Sequence, residues 1–441
     1  MTTARVSSEK QLLDALAGAD EIEIAGSIGG MPMISLRPGV TLRGGLLSFG
    51  ARGVRLSSGN RLEDVTILVP DHEVAISNDT SVPDLGQVTL ANVRTRGQVV
   101  LLAEDAVRAG RVVVDGLAVA SADLRGRTQR QHGFGVDAMQ GAFTLWNRQP
   151  DPAVRLTASL TGLSAGSADS PIRGSGVVVA GHGDWGGKMD GGVVEVDSLR
   201  TGPIFTDGGI EPGTPDLISG GVYVLSGAEV ESVINDGPVT TFGANDMALD
   251  NWGAVRSWTA RAPITSHGPS GIGFVNFGTL GRLTVEDAVT TYGTGARGFN
   301  VYDGAVASAR FHSIRTHGDG AVGVQVSRDL PVLEIVDSVI TYGGAGTSLV
   351  LGAQTQLSAI AISVKPEGRI GRLAVGGSLC TQGDGIVTLD VEGELESLSV
   401  TQTVSAHGAG SAAIRHVHDI AGLADVRVAA PWGDRIVRIS A

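Results

Sequence analysis

The sequence predicts an all-β solenoid, wound as a right-handed parallel β-helix of about 25 residues per coil and closed by a short N-terminal capping helix. Three observations predict it. The first is a recurring phrase: Val239-Thr-Thr-Phe-Gly243, Ile264-Thr-Ser-His-Gly268, Val289-Thr-Thr-Tyr-Gly293, Ile314-Arg-Thr-His-Gly318 and Val339-Ile-Thr-Tyr-Gly343, each starting 25 residues after the last. Such a period marks units that bury their apolar faces only by stacking on one another. The second is composition, with 65 Gly and 16 Pro beside 42% hydrophobic residues. That mixture suits many short strands joined by tight bends and excludes disorder. The third is apolar alternation along short segments such as Ile272-Gly-Phe and Leu283-Thr-Val, as expected when one strand face points into a shared core.

The elements follow in order. Residues 8–17 carry apolar positions at helical spacing behind Ser8, a residue suited to cap them. A helix over the first 20 residues would seal the open end of the stack. Short alternating strands then begin at Ile22, Met33, Val40 and Val65, and continue through Gln87-Val-Thr-Leu and Arg111-Val-Val-Val. Residues 126–154 lose the alternation and read as a long loop carrying His132, Asp137 and Trp146. Thr161, Thr201 and Thr241 then recur at 40-residue steps, 15 more than one coil. The excess is placed at residues 203–217, and a second one at 344–358 between Thr341 and Thr381. Residues 1–441 are thus expected to form a single domain.

Composition also bounds function. A net charge of −13 disfavours a nucleic-acid backbone or an anionic membrane as partner. Cys380 is the only cysteine, so an intrachain disulfide is impossible. No apolar run approaches a membrane span of about 18 to 20 residues, and the N-terminus lacks a secretory apolar core. A cytoplasmic location is therefore expected. No cofactor is expected, since no Gly-rich stretch has a strand, loop and helix context. No metal is expected either, because His416 and His418 lack a third spaced ligand. A homo-oligomer such as a trimer is compatible with a flat β-helix flank.

The architecture resembles the pectate-lyase-like β-helix superfamily over roughly residues 20–441, through periodicity. Many members act on polysaccharides, whereas others are phage tailspikes or adhesins. Gly181-His-Gly183 matches an element of the polygalacturonases within it, but the Asn-Thr-Asp, Asp-Asp and Arg-Ile-Lys companions are missing here. That catalytic set is therefore not carried over.

Stacking turns the repeat alignment into a surface map. Thr241, Ser266, Thr291, Thr316, Thr341 and Thr381 should form an inner hydroxyl ladder whose members satisfy one another. Phe242, His267, Tyr292, His317 and Tyr342 should form an outer ring ladder able to stack on sugars. Insertions five coils apart would bracket a trough of roughly 24 Å at about 4.8 Å per coil. Asp250, Asn300, Tyr302 and Gln325 are expected to face this trough, with Asn245, Asp246, Arg297 and Asp319 on its turns.

Glycosidic hydrolysis needs two carboxyl groups about 5 to 5.5 Å apart for retention or about 6.5 to 9.5 Å for inversion. Asp246 and Asp250 are about 13 Å apart on an extended strand. Asp246 or Asp250 is therefore expected to pair with one of Asp207, Glu211 and Asp216 in the insertion one coil away. A second candidate is His182-Gly-Asp-Trp-Gly-Gly-Lys-Met-Asp190, which gathers His182, Asp184, Trp185 and Lys188. There His182 suits acid or base chemistry and Lys188 suits a uronate, unless Lys188 merely pairs with Asp190. The expected function is cleavage of a carbohydrate by a glycoside hydrolase. The alternatives are a polysaccharide lyase and a non-catalytic spike, adhesin or scaffold.

Overall fold

The computed structural model describes residues 2–350 and 353–440. The chain divides into two compact units, one of residues 1–208 and 222–233, the other of residues 209–221 and 234–441. Each is built almost wholly of strands paired in parallel.

In the first unit, Thr3–Val6 pairs with Glu21–Ile24, which pairs in turn with Thr41–Arg43 and then Arg61–Glu63. The long strands Asp84–Arg96, Ala109–Val119, Arg155–Ala165 and Val193–Thr206 continue this sheet. A second sheet stacks Ile34–Ser35, Val54–Leu56, Val74–Asn78, Gln98–Ala103, Gly141–Asn147 and Ser175–Ala180. The column Leu42, Leu62, Leu90, Val114 and Leu160 is buried, which is what the alternation required.

The helix spans Glu9–Leu16. Ser8 Oγ accepts from the Gln11 N–H, and Leu12 supplies the buried face. A strand precedes it, contrary to the expectation of a helix first. Thr3–Val6 is too short and too weakly apolar to announce itself, and it is held by pairing to Glu21–Ile24.

The expectation for residues 126–154 also needs correction. Gly141–Asn147 is a fully buried strand between Gln98–Ala103 and Ser175–Ala180. Burial on both faces removes the polar alternation by which a strand is recognised. The true excursion lies earlier, in a small antiparallel hairpin of Gln131–Gly133 and Val136–Ala138.

In the second unit the recurring phrase forms one continuous ladder: Val239–Thr241, Ile264–Ser266, then residues 289–291, 314–316, 339–341, 379–381 and 404–406. Trp258, Phe274, Phe299 and Phe311 fill its core with ring contacts of 5.0, 6.0 and 4.8 Å along the series. The phrase ends in glycine for a steric reason. A Cβ on Gly268 would lie 1.8 Å from Gly243 O, and one on Gly293 would lie 1.8 Å from Gly268 O. The column persists across the longer step, for a Cβ on Gly383 would lie 2.2 Å from Gly343 O.

The excess at 344–358 is an antiparallel hairpin of Ala345–Val350 and Ala353–Ser358, with residues 351 and 352 outside the described part. It turns back over earlier turns: Gly320 N–H donates to Gly344 O, and Ser348 Oγ donates to Gly295 O at 2.9 Å. A Cβ on Gly213 would lie 3.7 Å from Gln354 Nε2, so the hairpin reaches the 209–217 segment. In this unit those two segments therefore approach one another at this point, rather than standing apart as separate walls. The earlier excess begins later than expected, because Val193–Thr206 remains a strand.

Candidate functional site

The residues expected to line the trough are placed by the second unit in ways that undo much of its chemistry. Asp246 is buried. Its carboxylate accepts from Ser219 Oγ and from the Gly243 N–H at 2.8 Å, so it fastens the 209–221 segment to its own turn. Asn245 does the same by donating to Thr214 O at 2.8 Å. Glu211 and Asp216 are exposed and bond to neither aspartate. In the first unit, Asp207 forms an ion pair with Arg173.

Asp250 does not face an open groove, being 0% exposed. Neither of its carboxyl oxygens makes a hydrogen bond of normal geometry. Desolvation pushes its pKa well above the usual carboxylate range, and the Trp252 indole and Asn251 N–H offset only part of this. It stands on a register column of Asp250, Val275, Asn300, Gln325 and Ser363. Both polar atoms of Asn300 are also buried without a partner. Arg297 is buried, donates weakly to Gly295 O at 3.3 Å and Ser348 Oγ at 3.4 Å, and has its pKa lowered by burial. Half-buried Tyr302 sits within electrostatic reach of Arg297 and stacks on Phe277. This cluster is polar and buried, and the hairpin packs against its Arg297 through Ser348.

The outer ring ladder exists, with Phe242, His267, Tyr292, His317 and Tyr342 stacked at 5.2, 5.0, 4.8 and 4.7 Å. Its consequence differs from the expectation. Every interior ring has both faces covered by its neighbours, so these rings offer edges rather than faces to solvent. The inner hydroxyl ladder is likewise buried, but its members do not bond to one another along the axis. Thr316 Oγ1 donates to Ala321 O at 2.8 Å and Thr341 Oγ1 donates to Ala359 O, whereas Thr241, Ser266 and Thr291 hydroxyls have no partner.

The second candidate gains what the first loses. In the first unit, the 182–190 loop is closed by Asp184, whose N–H donates to Lys188 O at 2.7 Å and whose Oδ1 accepts from the Lys188 N–H at 2.8 Å. Asp190 does not pair with Lys188. Its Oδ1 lies 2.6 Å from His182 Nδ1, leaving the exposed Lys188 ammonium without an ion pair among the described residues. Trp185 is 78% exposed, and its indole lies 3.9 Å between centroids from the His132 ring at 51°. His132 in turn holds Asp137 through Nδ1 at 2.8 Å.

Local packing joins the two loops. Gly187, at φ +83, lets the Phe134 ring approach to within 2.3 Å of where a Cβ would stand. Gln131 Nε2 donates to Ser226 O, and Ser226 Oγ donates to Gly187 O at 2.6 Å. The result is one solvent-facing Trp in ring contact with the His132–Asp137 pair, on the same loop as a second pair, His182–Asp190, each imidazole held through Nδ1. His132 and Asp137 were named in the sequence only as members of a loop. Their five-residue spacing across Gly133-Phe-Gly135 is the hairpin signal that would have paired them. No group of three or more His, Cys, Asp or Glu able to hold a metal occurs among the described residues. Comparison with family models, curated proteins and solved structures gives no match.

Proposed function

We propose that the chain is a carbohydrate-active protein of the right-handed parallel β-helix class, with its site at the Trp185 loop of the first unit. The observation that carries this reading is the exposed indole of Trp185 in contact with the oriented His132 imidazole, on the loop that also carries the oriented His182 imidazole. An indole face suits a sugar ring. A histidine oriented by a carboxylate suits proton transfer near neutral pH. With Lys188 available to neutralise a carboxylate, the arrangement favours β-elimination at a uronate. His182 would take the proton beside the uronate carboxylate, the ring double bond would form as the bond to the glycosidic oxygen breaks, and that oxygen would leave as an alcohol by taking a proton from water. Hydrolysis by Asp246 and Asp250 is less well supported, since one is bonded within its turn and the other is enclosed. The helix Glu9–Leu16 is assigned as a cap of the stack.

A non-catalytic role is the second reading, favoured by the self-covered ring ladder of the second unit. The test exposes the protein to neutral and acidic polysaccharides. Product is read as new reducing ends and as ultraviolet absorbance of unsaturated sugars. Absorbance lost by about 10²-fold or more in His182→Gln, with a raised KM in Trp185→Ala, is the expected outcome. Reducing ends without absorbance would replace the elimination by hydrolysis. Binding without cleavage, weakened in Trp185→Ala, would favour the non-catalytic role, and the absence of both would overturn the site.

A further inference from the structure

A cleft of about 360 Å³ opens on the first unit and is lined by none of the residues of the Trp185 site. Its size falls within the roughly 300 to 1,000 Å³ of small-molecule sites. Arg55, in the register column Ser35, Arg55, Ser77 and Val100, lines it together with Arg52 and Arg127. In a chain of net charge −13, three guanidinium groups around one cleft run against the overall balance.

The acidic residues of the cleft are already engaged. Glu104 pairs with Arg148, and the Asp79 carboxylate accepts from Ser81 Oγ at 2.7 Å and the Ser81 N–H at 3.0 Å. Arg55 lies within electrostatic reach of the Asp79 carboxylate, but none of the three arginines is hydrogen-bonded to a carboxylate among the described residues. Arg127 donates through Nε to Gln98 Oε1 at 3.0 Å and through Nη2 to His72 O at 3.0 Å, both uncharged acceptors. Buried Gln98 is fixed in turn, donating to Gln140 Oε1 at 2.8 Å and Gly141 O at 3.1 Å. Arg55 Nε donates to Ser35 Oγ. Arg52 is exposed and makes no ion pair among the described residues.

Burial lowers the Arg127 pKa, Glu73 offsets part of this without a hydrogen bond, and the Arg52 charge lowers it further. Arg52 and Arg127 line one cleft within electrostatic reach of each other, Arg127 is oriented by a fixed glutamine, and guanidinium groups are suited to oxyanions. Ser77, Thr80, Gln129 and Gln140 add neutral polar groups suited to hydroxyls.

We propose that this cleft binds a small anionic polyol, a sugar bearing a phosphate, sulfate or carboxylate group, with Arg127 and Arg52 on the anion. The proposal is independent of the Trp185 reading. Titration calorimetry on the full chain tests it with glucose 6-phosphate, glucose 6-sulfate and galacturonate, against glucose and inorganic phosphate. At least one anionic sugar is expected to bind tenfold or more tighter than glucose and than inorganic phosphate, and the three arms identify which anion is preferred. That binding should fall tenfold or more in Arg127→Gln and in Arg52→Ser, while Trp185→Ala leaves it unchanged. Arg52→Ser removes an exposed side chain, so it separates lost binding from lost folding. Equal binding of glucose, no binding at millimolar concentration, or binding indifferent to Arg52→Ser would overturn the assignment.

Discussion

Asp250 shows how a residue can be read correctly as unusual and wrongly as exposed. A lone Asp in an apolar strand reads as an outward group, because alternation assigns faces but does not reveal what is laid over the outer one. Its carboxyl is buried without a normal hydrogen bond and its pKa is raised. A raised folded pKa means that stability is fully present below the unfolded value near 3.9 and is lost as pH rises toward the folded one. Asp250→Asn should therefore raise the thermal midpoint at pH 8 and change it little at pH 4. A lower midpoint at pH 8 would contradict this account. The ladder histidines carry the opposite sign. Desolvation lowers the His267 pKa, and desolvation with the Arg315 charge lowers that of His317. Their contribution is fully present above about pH 6.5 and is lost as pH falls through their folded values. A His267→Phe, His317→Phe double variant should lose less of its midpoint between pH 8 and pH 5 than the parent does. An equally steep loss would remove the ladder from the cause.

At the scale of elements, the turn glycine of the recurring phrase is fixed by close approach. Gly293 meets Gly268 O at 1.8 Å from any added Cβ, whereas Gly50 in the first unit has nothing within 4 Å. Gly293→Ala should cost about 1 to 3 kcal/mol or more, measured by denaturant midpoint, and Gly50→Ala should cost little. Similar losses in the two variants would show that backbone entropy, not crowding, sets the requirement. The strands of this unit were legible because each repeats in sequence what the next coil repeats in space. The Trp185 loop was legible as a cluster, since His182, Asp184, Trp185 and Lys188 fall within one short stretch. Its second half, His132 and Asp137, was not, because a contact across some fifty residues leaves no local mark. The hairpin 345–358 could be placed by counting, but its direction depends on contacts such as Ser348 with Gly295.

Across the whole chain, the period announced stacking long before it announced chemistry. Net charge is a sum over the chain and concealed a local exception, the arginines of the cleft in the first unit. Length is the property that the glycine column of the second unit governs most strictly. Each glycine is seated against a carbonyl one turn earlier, and the seat is regained after 15 additional residues because these leave the stack as a hairpin. The chain can therefore gain or lose material in whole modules, or beside the column, but not in fractions of a module. Excision of residues 269–293 should leave a cooperatively unfolding protein, since Gly318 then takes the place of Gly293 above Gly268. Excision of residues 269–292, one residue fewer, should not. Equal unfolding transitions for the two deletions would show that the column does not count residues.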